Sequence, residues 1–149
     1  MLVVAVFLMV LTGCTYKETY RVVLKNETNS PLTVGFVKNG PPAESMWASP
    51  EDRAFQTADR DNTRWGEVIP AGKTADVQLT GTFHDRIRAF LRVYQGTHTT
   101  DELLAISRGS GNRLDLILDP TRPNGFIISN KSGKLVFESI RPVAPAKPQ

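Results

Sequence analysis

The sequence predicts an all-β domain, an antiparallel β-sandwich of about seven strands with two short helical insertions. Three observations carry this. Apolar and polar residues alternate with period two in a series of short runs. Turn chemistry rich in Gly, Pro, Asn, Asp and Ser separates the runs. No strand–helix–strand rhythm, internal repeat or low-complexity block breaks the pattern.

The elements follow in order. Tyr20–Asn26 places Tyr20, Val22 and Leu24 on one face, with Arg21 and Lys25 on the other. Asn26-Glu27-Thr28-Asn29-Ser30-Pro31 is a turn, and Leu32–Lys38 aligns Leu32, Val34 and Phe36. Ala71-Gly72 turns the chain into Lys73–Leu79, where Ala75, Val77 and Leu79 oppose Asp76 and Gln78. Ile87–Val93 points Ile87, Ala89, Leu91 and Val93 inward, and Arg113–Asp119 does the same with Leu114, Leu116 and Leu118. Phe126–Ser129 and Leu135–Ile140 flank a hairpin loop at Asn130-Lys131-Ser132-Gly133.

Two helix starts interrupt the strands. Ser49-Pro50-Glu51-Asp52 supplies an N-cap, a proline at the first helical position and acids in the first turn, so a short helix is expected over Pro50–Ala58. Thr99-Thr100-Asp101-Glu102 opens a second, closed by Gly109. The tail Arg141–Gln149, with Pro142, Pro145 and Pro148, reads as an extended end without fixed structure.

The N-terminus carries a separate signal. Met1–Val10 is apolar and uncharged, too short to span a bilayer, which takes about 20 residues, but suited to the apolar region of a secretory signal. Leu11-Thr12-Gly13-Cys14 ends that run and resembles the lipobox of bacterial lipoproteins. The resemblance covers residues 1–14. It implies that the Cys14 thiol takes a diacylglycerol, that Met1–Gly13 is cut away, and that the new N-terminus is acylated, with palmitate the typical chain. It also implies the outer membrane for Thr15 after the cysteine, where the host has one, because Asp at that position favours the inner membrane. The expected n-region cation is missing, which points to an atypical signal or a start upstream of Met1. The competing reading of this stretch is a buried N-terminal strand or single-pass anchor with a structural cysteine.

Removing 13 of 149 residues leaves 136, the size of one domain. All charges lie after Gly13, so the formal charge stays +3, which is not the footprint of a nucleic-acid binder. Cys14 is the single cysteine, so packing and not a disulfide framework must stabilise the domain. The expected organisation is a signal peptide at 1–13, a lipidated tether at 14–19, a sandwich at 20–140 and the tail at 141–149.

Two groups of side chains are candidate binding residues. Arg86, Arg88, Phe90, Arg92 and Tyr94 share one parity and would form a strip of guanidinium groups and rings on an outward face. Such a strip suits an anionic glycan or lipid headgroup, through Arg forks and ring stacking. The competing reading is cross-strand pairing, since Asp76 and Gln78 on one strand and Arg113, Asp115 and Asp119 on another have outward parity and their acids would neutralise the strip. The second group is Trp47 and Trp65, in the long patternless stretch Asn39–Trp65 with its mixed-charge run Asp59–Arg64. Tryptophans in such a stretch anchor a protein partner or else pin the loop to the sandwich edge.

Catalytic signals are lacking. No G-x-S-x-G, Walker A, H-E-x-x-H or C-x-x-C motif occurs, and His84-Asp85 and His98 have no metal-ligand spacing. An enzyme would need His84, Asp85 and another acid in one cleft. The expectation is therefore a non-enzymatic envelope lipoprotein, without cofactor or metal, acting as a binding or assembly module with an envelope protein as partner. The order strand, strand, helical insertion, Ile69-Pro70-Ala71-Gly72 turn, strand, then an apolar strand bearing arginines is similar to the small sandwich lipoprotein of type VI secretion machines. That resemblance implies an adaptor docking an inner-membrane protein. Immunoglobulin-like and transthyretin-like modules fit the same layout.

The lipobox makes a direct prediction. Cys14→Ser is expected to abolish palmitate labelling and to release the protein from the membrane fraction. Retained labelling, with cleavage still after Gly13, would refute the assignment.

Overall fold

The computed structural model describes residues 14–56 and 64–142. The expected signal peptide, the last two residues of the first expected helix, most of the Asp59–Arg64 run and residues 143–149 of the tail lie outside that range.

Alternation sets the layout of the first strand, β1 (Thr15–Asn26), whose Tyr20, Val22 and Leu24 are buried while Arg21 and Lys25 face out. Among the described residues, seven further strands follow: β2 (Leu32–Lys38), β3 (Glu67–Ile69), β4 (Thr74–His84), β5 (Ala89–Gln95), β6 (Arg113–Ile117), β7 (Asn124–Lys131) and β8 (Lys134–Ile140). They form two four-stranded sheets, ordered β4-β1-β7-β8 (sheet A) and β3-β2-β5-β6 (sheet B). Every pairing is antiparallel except β1 with β7, so the fold is the expected all-β sandwich.

Several boundaries differ from the sequence reading: β4 runs on past the expected Leu79 to His84, β7 takes in Asn130 and Lys131 of the expected hairpin loop, and three further differences have a visible cause. The strip Thr15–Thr19, expected as a tether, is the first part of β1 and pairs with β4 from Thr15↔His84 onward. It has polar residues on both faces, so no amphipathic signal marks it. The antiparallel ladder, a Thr19–Thr80 hydroxyl contact of 2.8 Å and stacking of Tyr16 on Phe83 hold it instead. β3 is an unexpected eighth strand, too short to show a period. The strand expected from Ile87 starts at Ala89, because Arg86 has a left-handed φ of 72° that turns the chain.

The core lies between the sheets. Val22, Leu24 and Ile128 of sheet A meet Leu32, Leu91 and Val93 of sheet B, all at or near zero exposure. Each such side chain contributes about 1.5–3 kcal/mol by leaving water.

The helices are short. Ser49 and Asp52 cap α1 (Pro50–Gln56) reciprocally: Asp52 N–H donates to Ser49 Oγ, and Ser49 N–H to Asp52 Oδ2. Thr99 and Glu102 do the same for α2 (Thr100–Ala105), which closes at Ile106, earlier than the expected Gly109. Both helices lie against each other on the outer face of sheet B, where Leu103 and Trp65 cover Tyr94.

One buried polar side chain joins the turns at the end of the sandwich away from Cys14. Asn26 Nδ2 donates to the carbonyls of Ser30 (2.9 Å) and Ile69 (3.0 Å), and Oδ1 accepts from Thr28 N–H and Oγ1–H. It ties the β1–β2 turn to β3 with its amide fully used. Removing it would take a donor from the buried Ile69 carbonyl and the acceptor from the Thr28 N–H, while the Ser30 carbonyl keeps the Thr28 hydroxyl. Asn26→Ala is therefore expected to lower unfolding free energy by about 3 kcal/mol, read from the urea midpoint. Asn29→Ala, in the same turn but exposed, should change it by less than about 0.5 kcal/mol.

Candidate functional site

The long insertion between β2 and β3 is held down by its two tryptophans, each on a strand glycine. Trp47, in a 3-10 turn (Ser45–Trp47), wedges between the sheets. Its ring meets Tyr20, Phe36 and Phe83 edge-on at 5.2–5.7 Å, and Nε1–H donates to Thr80 O at 3.2 Å. It takes the space where a side chain at Gly81 would stand. Trp65 lies over Gly35 on the opposite face of sheet B, only 2.6 Å from where a Cβ would be, and meets Tyr94 edge-on at 5.7 Å. Its Nε1–H donates to Ala48 O at 2.8 Å. Both rings are buried. These tryptophans pin the insertion to the sandwich and present no surface to a partner.

The expected strip of arginines and rings is split by the fold. Arg86 and Arg88 fall in the turn before β5, at the end of the molecule where His84 pairs with Thr15 next to Cys14. Both are exposed, and Arg88 N–H donates to Asn39 Oδ1 at 2.7 Å. Tyr94 is fully covered by Trp65 and α2, so it offers no stacking face. Only Phe90 and Arg92 keep the expected orientation. The strip fails as an open platform because the insertion and α2 turn the outer face of sheet B into a second, partly buried interface.

Arg92 is the centre of an ion cluster. It lies in register with Asp115 of β6, and Nε–H donates to Asp115 Oδ1 at 2.8 Å. Its Nη1–H donates to Glu51 Oε2 of α1 at 2.6 Å. Arg113 approaches Asp115 Oδ2 at 3.1 Å and Glu51 Oε1 at 3.6 Å, with its guanidinium 5.8 Å from the Tyr94 ring. Arg108 reaches Asp115 Oδ2 at 3.6 Å while its side chain stays 80% exposed. Burial alone would lower the Arg92 pKa, but Tyr94, Glu51 and Asp115 hold it above its ordinary value. Burial raises the Glu51 carboxyl, yet its own backbone N–H and Arg92 pull it below the usual carboxylate range. Burial likewise pushes the Tyr94 phenol up. The cross-strand neutralisation weighed from parity is present for Arg92; Glu51, the other partner, comes from the helix and was not legible.

This cluster floors a groove of about 910 Å³. Val37 and Phe90 continue the floor, the Asn39–Ser45 segment forms one wall, and α1 and Arg108 stand on the other sides. Phe55 projects from α1 at the rim, 94% exposed. At the groove's lower end Lys38 is buried beneath Glu44, donates to Thr82 O at 2.9 Å and sits 5.3 Å from the Phe83 ring centroid. Among the described residues, no group of His, Cys, Asp and Glu has the arrangement of a metal site. His98 Nε2 instead contacts Gln95 O at 2.6 Å, beside α2. The groove offers fixed charge on its floor and an apolar wall.

Sequence reading missed Phe55 and Arg108 as groove residues, and Glu51 as a member of the ion cluster. The alternation of β6 does mark Arg113 and Asp115 as outward, but helix packing over a sheet face leaves no local signature. No family model matches the chain, and comparison with curated proteins and with solved structures finds no match either.

The Lys38–Glu44 pair predicts an acid-dependent stability. The hydrogen bond from Lys38 holds the Glu44 carboxyl below its ordinary value. A carboxyl lowered by folding stabilises above its unfolded pKa and loses that contribution as pH falls through the folded one. Glu44→Gln is therefore expected to have a lower urea midpoint than the parent at pH 7. The gap should close as the pH is taken below about 4. A constant gap from pH 7 to 3 would show that Glu44 acts by packing alone.

Proposed function

We propose that this protein is a lipid-anchored envelope protein, and that its β-sandwich docks a protein partner in the groove on sheet B. The observation that carries the docking reading is Phe55. An almost fully exposed phenylalanine, on a capped helix beside a groove with a charged floor, is the kind of anchor that partners bury. The lipobox-like Leu11–Cys14 supports the anchor. With β1 starting at Thr15, an acylated Cys14 leaves the sandwich almost no stalk. The Asn39–Ser45 wall starts next to Lys38, which bonds Thr82, two residues from the partner of Thr15. The groove thus opens toward the anchored end, within reach of another protein at the same membrane.

A second reading shares this groove. Lys38, Arg92, Arg108 and Arg113 line it against Glu44, Asp52 and Asp115, and Arg108 is the exposed member of the ion cluster. An anionic glycan or lipid headgroup would seat on Arg108.

A photo-crosslinking side chain in place of Phe55, in the producing cell, tests both. The expected result is a discrete protein adduct, absent when the crosslinker replaces Phe137 on sheet A and reduced about tenfold by Arg108→Glu, the scale of one partly desolvated ion pair. Equal adducts at both positions, or lipid and self-adducts alone, would overturn protein docking. Loss of the adduct on adding an anionic glycan would favour the second reading.

A further inference from the structure

We propose that the sandwich also binds a single-chain anionic amphiphile, an acyl chain with a negatively charged head, in an apolar cleft between its sheets along the β3–β4 edge. The proposal is independent of the groove and of Cys14.

The first observation is an asymmetry of burial between paired strands. Tyr20, Val22 and Leu24 of β1 are buried, yet their register partners Leu79, Val77 and Ala75 of β4 are only partly so, although all face inward. Sheet B causes this. β4 has eleven residues, while the edge strand of sheet B on that side, β3, has three and pairs with β2 only at Leu32–Val34. Beyond Val34, none of the described strands of sheet B continues the β3 edge opposite the inner face of β4 until Trp47 closes the space at Gly81.

The space left is a cleft of about 460 Å³. Val34, Phe36 and Leu91 of sheet B and Val77 and Leu79 of sheet A line its interior. Protein interiors are close-packed, with few voids larger than a water molecule. An apolar hollow of several hundred Å³ that reaches core residues has the size and lining of a ligand site.

The mouth sets the chemistry of the occupant. Met46, 65% exposed, offers a flexible apolar lip. Arg53 and Arg64 stand at the opening with Glu67 and Asp76, and Asp76 is already gripped by Arg21 through two bonds of 2.9 and 2.6 Å. The exposed Arg64 guanidinium beside an apolar slot suits a chain that enters tail first and leaves an anionic head on that arginine. A narrow inter-sheet slot favours one linear chain over a two-chain lipid.

Trp47, which closes the cleft at Gly81, and Trp65, which borders it at Gly35, are the two tryptophans of the chain and serve as reporters. The full chain carrying Cys14→Ser, which removes the attachment point for covalent lipid, is titrated with palmitate brominated in mid-chain, below its aggregation concentration. Expected are saturable tryptophan quenching near one equivalent and at least tenfold weaker binding of brominated hexadecanol. Val77→Phe, which places a ring in the cleft, should weaken palmitate at least tenfold with an unchanged melting temperature. If Val77→Phe melts lower, Leu79→Phe is the substitute. Arg64→Glu should weaken palmitate several-fold, and Phe55→Ala in the separate groove should leave binding intact. Quenching without saturation, or saturable quenching unchanged in a folded cleft-filled variant, overturns the site. Equal affinity for the alcohol overturns the anionic class. Failure of palmitate binding leaves crosslinking from Phe55 untouched, so this proposal and the docking proposal fail separately.

Discussion

The outer half of this molecule depends on a missing Cβ. Gly35 sits in β2 where any side chain would collide with Trp65. Because it is glycine, the indole lies flat on the sheet, reaches Ala48 O and abuts Tyr94. Ala48 immediately precedes the cap of α1, so this contact sets where the helix begins and hence where Glu51 meets Arg92. Gly81 performs the same service for Trp47 on sheet A. Two small residues in strands thus admit two large residues from the insertion. A chain segment with no alternation of its own is thereby folded onto the sandwich.

The ion cluster is best understood as a consequence of that docking. Burying charge costs free energy unless partners and hydrogen bonds compensate it, so a set such as Arg92, Arg113, Asp115 and Glu51 is a weak source of stability. Its value is geometric. Asp115 comes from the sheet and Glu51 from the helix, so Arg92 bridges two elements distant in sequence and holds their spacing. The groove above is preformed, and a ligand entering it would not have to order its floor.

The two ends of the sandwich have different characters. At the end away from Cys14, Asn26 locks turns together with a closed set of hydrogen bonds. At the Cys14 end, β1 and β4 run on as a ladder past the start of β7, and the Arg86 turn, Asn39 and the Lys38–Glu44 pair gather there. Closed hydrogen bonding marks one end, and the exposed Arg86 and Arg88 mark the other. That polarity agrees with the proposed anchor, since the N-terminal residue of the described chain is at the charged end.

By itself the sequence determined what depends on near neighbours. Period-two alternation specified the inward faces of β1, β2, β5 and β6, because side chains on a strand must alternate whatever the strand packs on. Capping chemistry placed the starts of α1 and α2, because the groups involved lie within four residues. The Leu11–Cys14 pattern is likewise local. Tertiary structure alone decided which outward faces stay outward. Phe90, Arg92 and Tyr94 look equivalent by parity, yet Tyr94 is covered, Arg92 is paired and Phe90 lines a groove, because helices distant in sequence dock over them. A positive φ at Arg86 removed two arginines from the face that alternation assigns them. Thr15–Thr19 became strand only because β4 extends far enough to pair with it, and β3 is too short to fill its sheet edge. Those outcomes rest on strand lengths and packing partners across the fold, and no window of sequence contains them.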